Sequence, residues 1–333
     1  MTRTAKNRGA QRAKRARAVF IAALCLGASC AALSKAPSST PRSPTLDPPA
    51  PVANAAPILL TLNGLESPYH VMSAFVLPGG VLTLEVAAKG FTVSADSGRL
   101  ERLDPLAWNW TAPAAAGVHE LHVHSGGSRS LVRVFVLRPY YGGTTIGGYR
   151  LGHYVRDAKE GDPAYRIPEG FVEVTARNFD TMVSPHFRLG QFLCKDEVAL
   201  PKFIALCTSL LVKLEMLVDA LAARGLAAPT LHVMSGYRTP VYNAAIGNQT
   251  SISRHLYGDA ADVFLDRDGD EMQDDLDGDG RSTRADARVL HDLVERMDAS
   301  LPEAMQGGLA VYGATAAHGP FVHLDLRGRR ARW

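Results

Sequence analysis

Between Ile58 and about Pro139 the apolar positions recur with a period near two, in short runs. These are Ile58-Leu-Leu-Thr-Leu62, Val81-Leu-Thr-Leu-Glu-Val86, His119-Glu-Leu-His-Val-His124 and Leu131-Val-Arg-Val-Phe-Val136. Gly, Pro, Ser and Asn punctuate them, which predicts a small antiparallel all-β sandwich over residues 58–139. Further on, Phe171-Val-Glu-Val-Thr175, Leu231-His-Val-Met-Ser235 and Phe321 to Leu326 read as strands. The period becomes helical from Pro201 to about Arg224, where Phe203, Leu206, Leu210, Leu214 and Leu217 share a face and Gly225 marks the stop. A second helix is expected from Ala285 to about Ser300 on Val289, Leu290, Leu293, Val294 and Met297.

The first 57 residues follow neither period. Arg3, Lys6, Arg8, Arg12, Lys14, Arg15 and Arg17 precede a short apolar stretch, Ala18 to Leu33, rich in small residues. That order reads as a secretory signal over 1–33, with an uncleaved anchor as the alternative. Gly27-Ala28-Ser29-Cys30 is a weak lipobox, so lipidation of Cys30 stays open beside simple cleavage. Residues 34–57 are rich in Pro, Ser and Ala and predict an extended linker. Export places the protein in the periplasm or cell envelope, with membrane contact only through the N-terminal signal, anchor or lipid.

Charge changes the picture once the signal is set aside. The whole chain carries 36 basic and 33 acidic residues; without the seven basic residues of the signal, 29 face 33. Nucleic-acid binding therefore has no global electrostatic support. In an oxidising compartment Cys194 and Cys207 are able to pair, and two buried thiols is the equal alternative.

The candidate chemistry lies in the C-terminal half. His255 and Asp262 are separated by six residues, too far for one helix face, with Gly258 giving the turn between them. In the run Phe321 to Leu326, alternation sends His323 and Asp325 to one side and Val322 and Leu324 to the other. Two histidines and an aspartate are usual donors for a catalytic zinc with an open fourth position. His122 and His124 also share a strand face, but no third ligand accompanies them. An acidic insertion, 266–286, separates the second and third donors. With Asp275 at loop position 1, Asp277, Asp279 and Asp286 fall at 3, 5 and 12 and Gly280 at 6, which matches a calcium-loop template lacking an entering helix. A solvated acidic loop is the alternative. A serine hydrolase is disfavoured because no Gly-x-Ser-x-Gly elbow or Ser-x-x-Lys motif is present.

Ser253-x-His255-x-x-Gly258-x-Ala260-x-Asp262, the upstream Ser235-Gly-Tyr-Arg238 and the late His323 together resemble the zinc D-Ala-D-Ala carboxypeptidase and murein endopeptidase family (M15 peptidases). The run Phe321-Val-His-Leu-Asp325, with the terminal arginines and tryptophan of Arg330-Ala-Arg-Trp333, is similar to its periplasmic murein endopeptidase branch. The likeness spans roughly residues 140 to 333. The resemblance implies an α+β zinc peptidase domain, antiparallel sheet with helices, over 140–333. It also implies peptidoglycan as partner and hydrolysis of stem-peptide or cross-link bonds involving D-amino acids. Trp108-Asn-Trp-Thr-Ala-Pro113 likewise resembles the late strands of immunoglobulin-like bacterial modules. Arg238 is then expected to hold a substrate carboxylate or a polarised carbonyl, against a structural salt bridge. Relatives carry a glutamate three residues before the last histidine ligand; here that residue is Pro320. Others use a histidine five residues before it, which makes His318 the candidate base or intermediate-stabilising residue, while Phe321 stands two before. Asp325 is the alternative base, or an orienting partner of a ligand. Ser253 and Asp259 are candidates to orient His255. A non-catalytic, metal-stabilised wall-binding protein is the competing expectation.

Overall fold

In a computed structural model of the chain, residues 58–155, 159 and 161–333 are described; the expected signal, Cys30 and the linker lie outside them. The first part is built from β1 (Leu60–Leu62), β2 (Leu65–Ser67), β3 (Val71–Val76), β4 (Val81–Val86), β5 (Thr92–Ala95), β6 (Arg99–Arg102), β7 (Ala107–Thr111), β8 (Gly117–Ser125) and β9 (Ser128–Val136). They form a five-stranded sheet, β2-β1-β4-β7-β6, and a four-stranded sheet, β3-β9-β8-β5. Alternation in β4 buries Leu82, Leu84 and Val86 and leaves Val81 and Glu85 exposed. Leu82 pairs with Trp110 and Leu84 with Trp108 across β4 and β7. Trp110 is fully buried and donates its indole N–H to the Ser97 carbonyl at 2.7 Å.

One pairing departs from the expected antiparallel sandwich: β3 runs parallel to β9. Burial does not alternate along β3 or from Ser130 to Val136 of β9, because both faces of these strands are covered. Val132 and Val134 belong to the apolar core, whereas Arg133 and Ser73 point the other way. Arg133 donates to the Met182 carbonyl at 2.8 Å and Ser73 to the Val183 carbonyl at 2.7 Å. The four-stranded sheet is thus docked against the later part of the chain.

That later part contains β10 (Arg138–Pro139), β11 (Thr145–Ile146), β12 (Tyr149–Arg150), β13 (Gly170–Val174), β14 (Lys202–Ile204), β15 (His232–Ser235), β16 (Ala260–Phe264), β17 (Gly308–Tyr312), β18 (Phe321–Asp325) and β19 (Ala331–Arg332). Three α-helices occur among the described residues: α1 (Thr208–Ala222), α2 (Pro240–Ala245) and α3 (Arg284–Asp298). The fold is therefore mixed and mostly β. No helix among the described residues is long and apolar enough to cross a membrane. The helix expected from Pro201 begins only at Thr208. Lys202–Ile204 forms a strand on β13, with Phe203 opposite Glu173. A short run buried on both faces cannot be told from a helix by period alone. Cys207 consequently caps α1 rather than lying inside it, and Cys194 and Cys207 are both free thiols.

The central sheet is β15-β16-β18-β17-β19. Helices α1 and α3 pack on each other, and α3 packs on β17 and β18. Between the helices Lys213, fully buried, meets Asp298 at 2.7 Å and donates to the Met305 carbonyl at 3.1 Å. Asp298 also receives Arg332 at 3.0 Å, which ties β19 to α3. Removing Lys213 takes away one of the two cations that hold the buried Asp298 and empties a fully buried position. Lys213→Ala should therefore lower unfolding stability by about 3–5 kcal/mol, read from urea denaturation; a loss under about 1 kcal/mol would show the pair to be dispensable.

A second pair carries a pH dependence. The buried Glu215 carboxylate of α1 accepts from the His186 backbone N–H at 2.8 Å and lies 2.6 Å from its Nδ1, with His70 and Asp219 nearby. The hydrogen bond to Glu215 raises the His186 pKa above 6.5, against the opposing effect of burial. The folded chain then holds this proton more tightly than the unfolded one. Its stabilisation is complete below the unfolded pKa and is lost as pH rises through the folded one. Glu215→Gln should flatten the decline of the urea midpoint above pH 6.5; unchanged steepness would refute the assignment.

Candidate metal centre

Strand pairing assembles the centre. In β16 and β18, Asp262 stands directly opposite His323, so their side chains emerge as cross-strand neighbours on one face. His255 arrives from outside the sheet, on a single 3-10 turn, Arg254–Tyr257. That turn ends at Gly258 with φ +75°, where a Cβ would lie 2.3 Å from the Ala205 carbonyl carbon. Gly236 meets a similar limit, because a Cβ there would lie 2.7 Å from Phe192 Cα. The chain approaches so closely that Gly236 and Arg238 bracket His255. Nδ1 of His255 is 2.7 Å from the Gly236 carbonyl, and the His255 carbonyl accepts from the Arg238 N–H at 3.0 Å.

His255, Asp262 and His323 each place one ligand atom within 4.8 Å of the others, and all three are buried. Asp262 Oδ1 is 3.2 Å from His255 Nε2 and 2.8 Å from His323 Nδ1. The remaining nitrogens are engaged from behind, His255 Nδ1 by Gly236 and His323 Nε2 by Asp325 Oδ2 at 3.1 Å. This arrangement fits a metal: two imidazoles with set ring orientation and one carboxylate. Burial lowers the His255 pKa despite Asp262, keeping the neutral, ligating form. Burial would lower His323 too, but hydrogen bonds with Asp262 and Asp325 outweigh it and raise the pKa to about 9. Burial of Asp262 is in turn outweighed by His255 and His323, which hold its carboxyl well below the usual range.

The other expected residues fall around this core in distinct ways. Arg238 donates from Nη2 to Asp262 Oδ2 at 2.5 Å and from Nε to Ser235 Oγ at 2.7 Å, so it braces the ligand's second oxygen. Asp325 is fully buried and accepts from the Gly308 N–H, the Arg327 N–H and the Arg327 guanidinium, besides engaging His323. It sits behind the ligand, which suits orientation. His318 precedes β18, with Nδ1 2.8 Å from the Gly319 carbonyl and its ring edge-on to Phe321 at 5.0 Å. It makes no hydrogen bond to the three donors among the described residues. Asp259 ion-pairs with Arg254, the neighbour of His255, and makes no hydrogen bond to His255 itself among the described residues. His122 and His124 stack at 6.2 Å, and among the described residues no cluster of three potential ligands includes them.

In the acidic insertion, Asp275, Asp277 and Asp286 come together as a second group able to hold a cation. Asp279 is not part of it; its Oδ1 accepts from the Arg281 N–H at 2.9 Å. Asp286 also caps α3, accepting from the Thr283 N–H at 2.6 Å. Asp266, Asp268 and Asp274 form a comparable group that the sequence reading missed. Its signal was present: Asp-x-Asp-Gly-Asp occurs at 266–270 and again at 275–279. Asp266 accepts from Gly269 and Glu271 as Asp275 does from Gly278 and Gly280.

A cavity of ≈780 Å³ opens elsewhere, between β3, β4 and the Arg254–Tyr257 turn, and none of the three central donors lines it. Compared with protein-family models and with curated proteins, the chain matches none.

The Gly258 turn is the local feature on which His255 depends. Gly258→Ala should cost roughly 2–4 kcal/mol in urea denaturation, combining left-handed strain with overpacking against Ala205. A variant as stable as wild type would show that the turn relaxes freely.

Proposed function

We propose that the chain is an exported zinc metallopeptidase that hydrolyses peptidoglycan stem-peptide or cross-link bonds involving D-amino acids. The observation that carries this reading is the buried His255, Asp262 and His323 set, with both imidazoles oriented from behind. Zinc held there would lower the pKa of its water to roughly 7 and polarise a scissile carbonyl. The resemblance of the ordered motifs to M15 peptidases supplies the substrate class. On the same ground, the later part is read as an α+β zinc peptidase domain and the earlier part as an immunoglobulin-like sandwich that helps place the enzyme in the wall.

Within this reading each residue has a task. Arg238 holds the second oxygen of Asp262, leaving the first for the metal side. Asp325 orients His323 and keeps its Nδ1 turned toward Asp262. His318, whose ring packs edge-on against Phe321, is the candidate to take or return a proton. Calcium in the Asp275, Asp277 and Asp286 loop, with Asp279 close in sequence, would stiffen the connection between β16 and α3.

A second reading is a non-catalytic, metal-stabilised wall-binding protein. It is favoured by Pro320, where relatives carry a glutamate, and by the turn of His318 toward Gly319 rather than the donors.

Purified sacculi incubated with zinc-loaded protein separate the two. Wild type should release muropeptides, a chelator should stop release, and added zinc should restore it. His255→Ala should abolish release, and His318→Ala should slow it by about 10²–10⁴-fold if His318 moves the proton. No release by zinc-loaded wild type from any sacculus would sink the peptidase reading and leave wall binding.

A further inference from the structure

We infer that Trp333 is a positioning residue of the metal centre, acting through the His323 ring and through the Asp325–Arg327 pair behind it. The inference rests on the metal reading above. The Trp333 indole contacts His323, with ring centroids 5.4 Å apart at 47°. The same indole lies beneath the Arg327 guanidinium, 4.9 Å from its ring centroid. Arg327 in turn grips Asp325, from Nε to Oδ1 at 3.0 Å and from Nη2 to Oδ2 at 2.5 Å. Asp325 Oδ2 is the oxygen beside His323 Nε2. One indole therefore touches both the ligand and the cation that holds the ligand's orienting carboxylate.

Trp333 is itself anchored from several directions. Its Nε1–H donates to Tyr312 Oη at 2.8 Å, and Tyr312 stacks on Phe321 at 4.8 Å. The preceding Arg332 is held by Glu295, by Asp298 and by the Gly307 carbonyl. Gly308 leaves the room the assembly needs: a Cβ there would lie 2.8 Å from Trp333 Cη2 and 2.3 Å from Asp325 Oδ2. The residue remains 55% exposed. A large aromatic left half in water yet held by a hydrogen bond and a cation stack contributes little core burial; its contacts are with the centre. Partners that fix a ligand's orientation typically govern metal affinity by 10–100-fold.

The test is zinc affinity, measured by competition with a chromophoric chelator on the purified protein, which needs no catalytic turnover. Trp333→Ala should weaken zinc binding on the order of 10-fold, with the zinc-free urea midpoint little changed. Trp333→Phe keeps an aromatic ring against His323 and Arg327 and should recover affinity to within about threefold of wild type. Tyr312→Phe removes only the acceptor of the indole N–H and should give a smaller loss of the same sign; it carries the test if Trp333→Ala does not fold. Equal affinities for wild type and both Trp333→Ala and Tyr312→Phe would overturn the assignment. Tight zinc binding by wild type without muropeptide release would defeat the peptidase reading while leaving this inference to the affinity comparison. Absence of zinc binding by wild type would overturn both the metal assignment and the role of Trp333.

Discussion

Asp262 is a carboxylate taken almost completely out of water and surrounded by two imidazoles and a guanidinium. Burying such an anion without partners would cost several kcal/mol, so the structure around it is arranged to compensate that charge. Strand register delivers His323, a glycine-terminated turn delivers His255, and the chain beyond β15 delivers Arg238. Each of these approaches has its own steric condition. The β16–β18 pairing must keep its register, because a one-residue slip would turn Asp262 or His323 to the other face. Gly236 and Gly258 must lack side chains, because backbone from Phe192 and Ala205 occupies the space.

Behind this first ring of charge lies a second, with Asp325 at its centre. Its carboxylate is fully buried and collects backbone N–H groups, the Arg327 guanidinium and the His323 ring. The arrangement continues outward through Arg332, Glu295, Asp298 and Lys213, so that α1, α3 and β19 are linked by alternating charges. Buried ion pairs contribute little net stability compared with well-packed apolar groups. Their effect here is geometric: they set the direction from which β18 and its neighbours present His323. The acidic insertion follows a different logic. Its carboxylates are folded onto their own backbone N–H groups in two similar turns, and Asp286 closes the second by capping α3.

Much of the centre was legible along the chain because its donors are marked by local pattern. The His255 to Asp262 spacing with its glycine, and the alternation that puts His323 and Asp325 on one side, are both one-dimensional signals. So were β4, β8, β9 and the helix over Arg284–Asp298, whose apolar and polar positions alternate or recur, or whose apolar run is long. Pattern failed for two runs that are buried on both faces without an alternation of residue type. β3 and Lys202–Ile204 carry no alternation, so the first went unread and the second was absorbed into a helix.

By itself, then, the sequence determined which residues were able to ligate, that a glycine was needed between two of them and where a charged insertion separates the second donor from the third. These follow from side-chain chemistry and local backbone freedom. Only the tertiary structure decided what each supporting residue faces: Arg238 the second oxygen of Asp262, Asp259 the guanidinium of Arg254, Asp325 the far side of His323, and Trp333 the Arg327 and His323 pair. The physical reason is that these partners come from separate strands and turns. Strand register and close backbone packing bring them together, and neither can be read from spacing along the chain.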